Sequence, residues 1–160
     1  LDIAINILSM LQVKVYFDIY GSIVDQKYWE KCKKMIEALP SNVTVKYCGE
    51  VDRSEVINVF SNYDLFLFPT GGENYGHVIA ESLSAGTKVL ISKNTPWVDL
   101  EKKGLGWDIE LSDKKSYLKI IEKMTKMTIN EKMIARVALQ ENNAWLSDSQ
   151  ALESNRSLYK

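Results

Sequence analysis

The segment Asp64-Leu65-Phe66-Leu67-Phe68-Pro69-Thr70-Gly71-Gly72-Glu73-Asn74-Tyr75-Gly76-His77-Val78-Ile79-Ala80-Glu81 changes character twice along its length. Its apolar first part reads as a buried strand that stops at Pro69. Two glycines then turn the chain, and a helix is expected from Gly76. A helix N-terminus offers N–H groups without intrahelical partners and the positive end of the dipole, which suits a phosphate. Glu73 and Glu81 bracket that helix start. Two carboxylates would repel an anion lying between them. They suit a ligand whose hydroxyls flank the phosphates and donate to them.

On the N-terminal side, residues 2–11 carry helical apolar spacing, with Ile3, Ile7 and Met10 on one side. Residues 13–20 are rich in β-branched and aromatic types and read as a strand closed by Gly21. Residues 25–39 read as a helix with Asp25 as N-cap and Pro40 beyond its end. A strand over 43–47 and a helix over 53–61, capped by Asp52, come next. After the strand at 65–68, a helix over 76–85 is expected to end with Gly86 at C′. A strand over 88–91, a short helix over 96–103 and a strand over 106–109 succeed it. Helices are expected over 114–127, 130–145 and 147–159. This alternation predicts an α/β fold, a Rossmann-like doubly wound parallel sheet with helices on both faces. Ligands of such a sheet bind beyond the strand C-terminal ends, which is where the Glu73–Glu81 stretch falls.

At 160 residues and 46% hydrophobic, the chain is expected to form a single domain with an ample core. A net charge of −1 with no basic stripe argues against a nucleic-acid partner. No apolar run approaches the roughly 18 residues needed to span a bilayer. Nothing reads as a signal peptide, so the cytoplasm is the expected compartment. Cys32 and Cys48 are accordingly expected as free thiols. No metal is expected: His77 is the sole histidine, the cysteines lack ligand spacing, and there is no Asp-x-Asp triplet. No nucleophile elbow, Walker loop or Gly-x-Gly-x-x-Gly fingerprint is present either.

The two glutamates at Glu-x7-Glu spacing, with Gly76 between them and Ser84-Ala85-Gly86-Thr87-Lys88-Val89-Leu90-Ile91-Ser92 after them, resemble the signature of family-four (group 1) retaining glycosyltransferases. Tyr47-Cys48-Gly49-Glu50-Val51 resembles that family's strand-end turn, and Asn62 to Thr70 resembles the strand before the first glutamate. The resemblance implies the C-terminal, donor-binding half of a two-domain GT-B fold. It also implies transfer of a glycosyl group from a nucleoside-diphosphate sugar, with retention, to an acceptor glycan or lipid-linked glycan in polysaccharide or glycolipid synthesis. Glu73 then takes the catalytic position and accepts from donor-sugar hydroxyls. Glu81 accepts from the ribose. The backbone of Tyr75, Gly76, His77 and Val78 meets the diphosphate, and Gly76, lacking a Cβ, permits its close approach. Gly72 and Asn74 complete the donor loop. Gly49 and Val51 contact the base, and Gly21 lies near the phosphates.

Family members open this domain with a strand followed by an Arg and a Lys that clamp the diphosphate. The present sequence starts at what reads as the first helix. It is therefore expected to be a fragment without the first strand, the clamp or the N-terminal acceptor domain, and inactive alone. The full-length enzyme could still attach peripherally to a membrane. Two other functions fit the same features: a GT-B nucleotide-sugar epimerase, and a non-catalytic protein-interaction domain of the same fold. Taken singly, Glu73 also reads as a residue favoured by the helix dipole and Glu81 as an ordinary exposed helix residue.

Overall fold

The computed structural model describes residues 1–141. The helix expected over 147–159, and the end of that expected over 130–145, lie outside the described residues. In chain order the elements are α1 (Asp2–Leu8), β1 (Val15–Tyr20), α2 (Gln26–Glu37), β2 (Val43–Gly49), α3 (Val56–Phe60), β3 (Leu65–Phe68), α4 (His77–Ser84), β4 (Lys88–Ser92), β5 (Gly106–Ile109), α5 (Lys114–Lys126) and α6 (Ile129–Glu141). The α/β class with parallel strands is as expected. The strands form two sheets, ordered β1-β2 and β3-β4-β5, where one sheet is expected, because β1 and β3 each pair on one edge only. The described residues divide into two compact units, one of residues 1–56 with 112–127 and one of residues 57–111 with those from Thr128 on.

In the first unit β1 and β2 run parallel from Val15↔Val43 to Tyr20↔Gly49, with an irregularity between Ile19 and Tyr20. Asp25 caps α2 as expected, its Oδ1 accepting from the Tyr28 N–H at 3.0 Å. α1 packs against α2 and α5. Ile5, Ile7 and Leu8 of α1 and Tyr117 of α5 are fully buried. At the α1–α2 contact, Asp2 accepts from the Tyr28 hydroxyl at 3.1 Å and pairs with Lys31 at 2.8 Å. Cys32 is buried, Cys48 is partly exposed, and both are free thiols.

In the second unit β4 is the central strand and β3 an edge. Val89 and Ile91 of β4, Ile79 and Leu83 of α4, Trp97, Leu100, Leu105 and Leu139 of α6 make its core. The α4 helix stops as the sequence indicates: Gly86 takes φ +77° and its N–H donates to the Leu83 carbonyl. The α6 helix is anchored by polar groups. Lys132 pairs with Asp64 at 2.7 Å, and Arg136 donates to the carbonyls of Tyr63 at 2.7 Å and Ala85 at 3.2 Å.

Two expected helices differ. Residues 96–103 form no helix, only a turn from Leu100, because Asp99 adopts φ +57° and the Leu100 N–H donates to Asp108 Oδ1 of β5 at 2.9 Å instead of to a helical carbonyl. The helix expected over 53–61 starts only at Val56. Asp52 Oδ1 accepts from the Ser54 N–H at 2.9 Å and from its hydroxyl at 2.6 Å, a local turn that competes with helix initiation.

Candidate functional site

The loop between β3 and α4 is held from several directions. Thr70 starts it, its hydroxyl donating to the Gly72 carbonyl at 2.8 Å. The Ser92 hydroxyl at the end of β4 donates to the Thr70 carbonyl at 2.6 Å. The Glu73 N–H donates to the Asn94 carbonyl at 3.1 Å, and the Trp97 Nε1–H donates to the Tyr75 carbonyl at 3.2 Å. The segment after β4 thus braces the segment after β3. That is a consequence of β3 and β4 lying side by side in parallel, with their C-terminal ends together.

Glu73 and Glu81 occupy different environments. Glu73 is half-buried, and its Oε1 accepts from the N–H groups of Tyr75 and Gly76, both at 3.2 Å. Two of the four backbone donors expected to meet a diphosphate are therefore engaged by a side chain. The other two, His77 and Val78, lie in the first turn of α4, where no intrahelical carbonyl reaches them. Glu81 is also half-buried, but among the described residues its carboxylate has no hydrogen-bond partner.

Ile79, Ser82 and Leu83 are buried, whereas His77 and Ser84 are exposed and Glu81 is half-exposed along the opposite stripe. Ser84 turns its hydroxyl to the Ala80 carbonyl at 2.8 Å, and the His77 ring stacks on Tyr75 with centroids 5.9 Å apart. Gly72 and Asn74 are exposed in the loop. Gly21, Gly49 and Val51 belong to the first unit. There the Gly21 N–H donates to the Gly49 carbonyl at 2.8 Å, and Val51 comes just after β2.

Gly76 is required by the fold of the loop itself. It sits at φ +69° and ψ 40°, the left-handed region. A Cβ there would lie 2.6 Å from Trp97 Nε1 and 2.9 Å from Ile79 Cδ1. A β-branched replacement would therefore disturb the core along with the loop, so Gly76→Val does not isolate phosphate binding from folding.

Thr70, Ser92, Asn94 and Trp97 are not among the sequence-derived site residues, yet they set the shape of the loop. The signal that could have found them is topological: neighbouring parallel strands end side by side, so the loops leaving their C-terminal ends abut. Among the described residues no three His, Cys, Asp or Glu side chains gather to hold a metal ion, and no helix is long and apolar enough to cross a membrane.

The profile described as Glycosyl transferases group 1 matches residues 1–143. The chain belongs to that family. Among solved structures, the glycotransferase of kitacinnamycin is similar at 15% identity and a TM-score of 0.41, the match covering 88% of this chain and 43% of that one. The present chain thus spans less than half of that structure's length. No curated protein matches it in sequence.

Proposed function

We propose that this chain binds a nucleoside-diphosphate sugar and forms the donor half of a retaining glycosyltransferase acting in polysaccharide or glycolipid assembly. The observation that carries this reading is Glu81. A half-buried carboxylate without a protein partner among the described residues sits one turn along α4 from the first-turn N–H groups of His77 and Val78. That pairing suits a ligand with vicinal hydroxyls next to a phosphate. Ribose hydroxyls donate to Glu81, and the phosphates accept from the first turn.

Glu73 has its Oε1 anchored on two backbone N–H groups, while its Oε2 has no partner among the described residues. The anchored oxygen fixes the carboxylate plane, and the other accepts from hydroxyls of the transferred sugar. During transfer the anomeric carbon exchanges its bond to the diphosphate oxygen for one to an acceptor hydroxyl oxygen, with configuration retained, and the hydroxyl proton passes to the released diphosphate. The charge that develops on the leaving diphosphate is met by the α4 N-terminus without need of a metal.

The test is calorimetric titration with UDP, GDP, ADP and CMP, repeated on Glu81→Ala. Saturable binding of one nucleotide, weakened at least about tenfold by the substitution, is the expected result. Nucleotide binding that is indifferent to Glu81→Ala would refute the ribose contact.

A further inference from the structure

We propose that Trp97 is a positioning residue for Glu73, and that it acts through the peptide unit joining Tyr75 and Gly76. This rests on the donor-site reading above. The Trp97 indole N–H donates to the carbonyl of Tyr75 at 3.2 Å. That carbonyl and the N–H of Gly76 belong to one trans peptide plane, so they point in opposite directions. Holding the carbonyl toward Trp97 therefore aims the Gly76 N–H away from it, and there it meets Glu73 Oε1 at 3.2 Å. The indole thereby sets where the carboxylate sits without touching it.

The indole is itself well fixed. Trp97 is only 4% exposed and packs in the core with Ile79, Leu83 and Val89. Its backbone N–H donates to the Thr95 hydroxyl at 3.2 Å. The absent Cβ of Gly76 is what admits the ring so close to the loop. A glycine at that position also makes the 75–76 peptide easy to flip once the indole bond is lost, because glycine tolerates both signs of φ. A flipped peptide would present a carbonyl, not an N–H, to the Glu73 carboxylate. Its Oε1 would lose a donor and face a repulsive oxygen.

The expected consequence is selective. Trp97→Phe retains an aromatic ring in the core and removes the N–H. It should weaken the contribution of the sugar to donor binding while leaving the nucleotide contribution, carried by Glu81 and the α4 N-terminus, intact. Calorimetry on this chain would compare the nucleoside diphosphate bound by the wild type with the matching nucleoside-diphosphate hexose. Trp97→Phe is expected to lower the hexose advantage about tenfold at unchanged nucleotide affinity, the loss due to about one charge-assisted hydrogen bond. Glu73→Ala should remove the same advantage, and the double variant should lose no more than Glu73→Ala alone.

Trp107→Phe is the control, since it removes a comparable indole N–H bond, to Glu101 at 3.2 Å in the same unit. It should leave both affinities unchanged. A Trp97→Phe protein that keeps the hexose advantage, loses nucleotide and hexose binding alike, or adds its loss to that of Glu73→Ala overturns the proposal while the donor site stands. A wild type that binds no nucleotide, or no hexose more tightly than the nucleotide, removes the site and this role of Trp97 together.

Discussion

The carboxylate of Glu73 lies 3.2 Å from the backbone nitrogen of Gly76, the left-handed residue from which α4 starts. This contact gives Glu73 a structural task in addition to any contact with a donor. Two buried or half-buried N–H groups depend on one oxygen. Glu73→Ala should therefore lower stability by about 1 kcal/mol, comparable to the loss of a helix N-cap. Glu73→Gln keeps an acceptor oxygen and should lose much less. Urea unfolding measures both, and an unchanged midpoint for Glu73→Ala would show that the loop does not need the carboxylate.

Arg136 links the anchored face of α6 to the rest of its unit. Its guanidinium donates to the carbonyls of Tyr63 and Ala85, the latter at the C-terminal end of α4. Arg136→Met retains much of the stem but leaves those carbonyls without that charged donor, an expected loss of about 2 kcal/mol in unfolding free energy. Arg136→Lys keeps the charge without the planar fork and should recover only part of it. Full recovery by lysine would mean that charge at the helix end, rather than the fork, is what matters.

The α1–α2 contact should respond to both acid and alkali. Lys31 holds the Asp2 carboxyl below its ordinary value of 3.8. A lowered folded value adds stability above about pH 3.8, and that stability fades as pH falls through the lowered value. Burial, assisted by its hydrogen bond to Asp2, pushes the Tyr28 phenol up to about 12 from 10.0. A raised folded value adds stability below pH 10.0, which is lost as pH rises toward 12. Tyrosinate absorbance should show Tyr28 titrating late, and Tyr28→Phe should remove that late component. In Lys31→Met, carboxyl NMR should find Asp2 moved back toward its ordinary value; an unmoved Asp2 would sink the ion-pair explanation.

Much of the fold was legible in the chain. The strand at 65–68 is dictated by its unbroken apolar run between turn signals, and the Asp25 cap and the Gly86 stop by local chemistry. Local signals failed where another segment supplied the partner. The apolar spacing of 96–103 resembles a helix, but Asp108 of β5 takes the Leu100 N–H. Likewise α6 has periodic apolar residues, yet Ile129 and Ile134 are 77% and 70% exposed, while Lys132, Arg136 and Leu139 make its contacts with the unit.

The order of residues was enough to specify the α/β alternation, the parallel class, the position of the loop and helix that carry both glutamates, and the family. Those features depend on residue type at short range: apolar period, caps, and glycines where the backbone must turn. What each glutamate meets emerges only when the chain is folded. Glu73 is committed to its own loop and Glu81 is not, and one of the N–H groups that hold Glu73 belongs to the peptide whose carbonyl accepts from Trp97, a residue far along the chain. Hydrogen-bond direction depends on where distant segments come to lie, and spacing along a sequence carries no record of that.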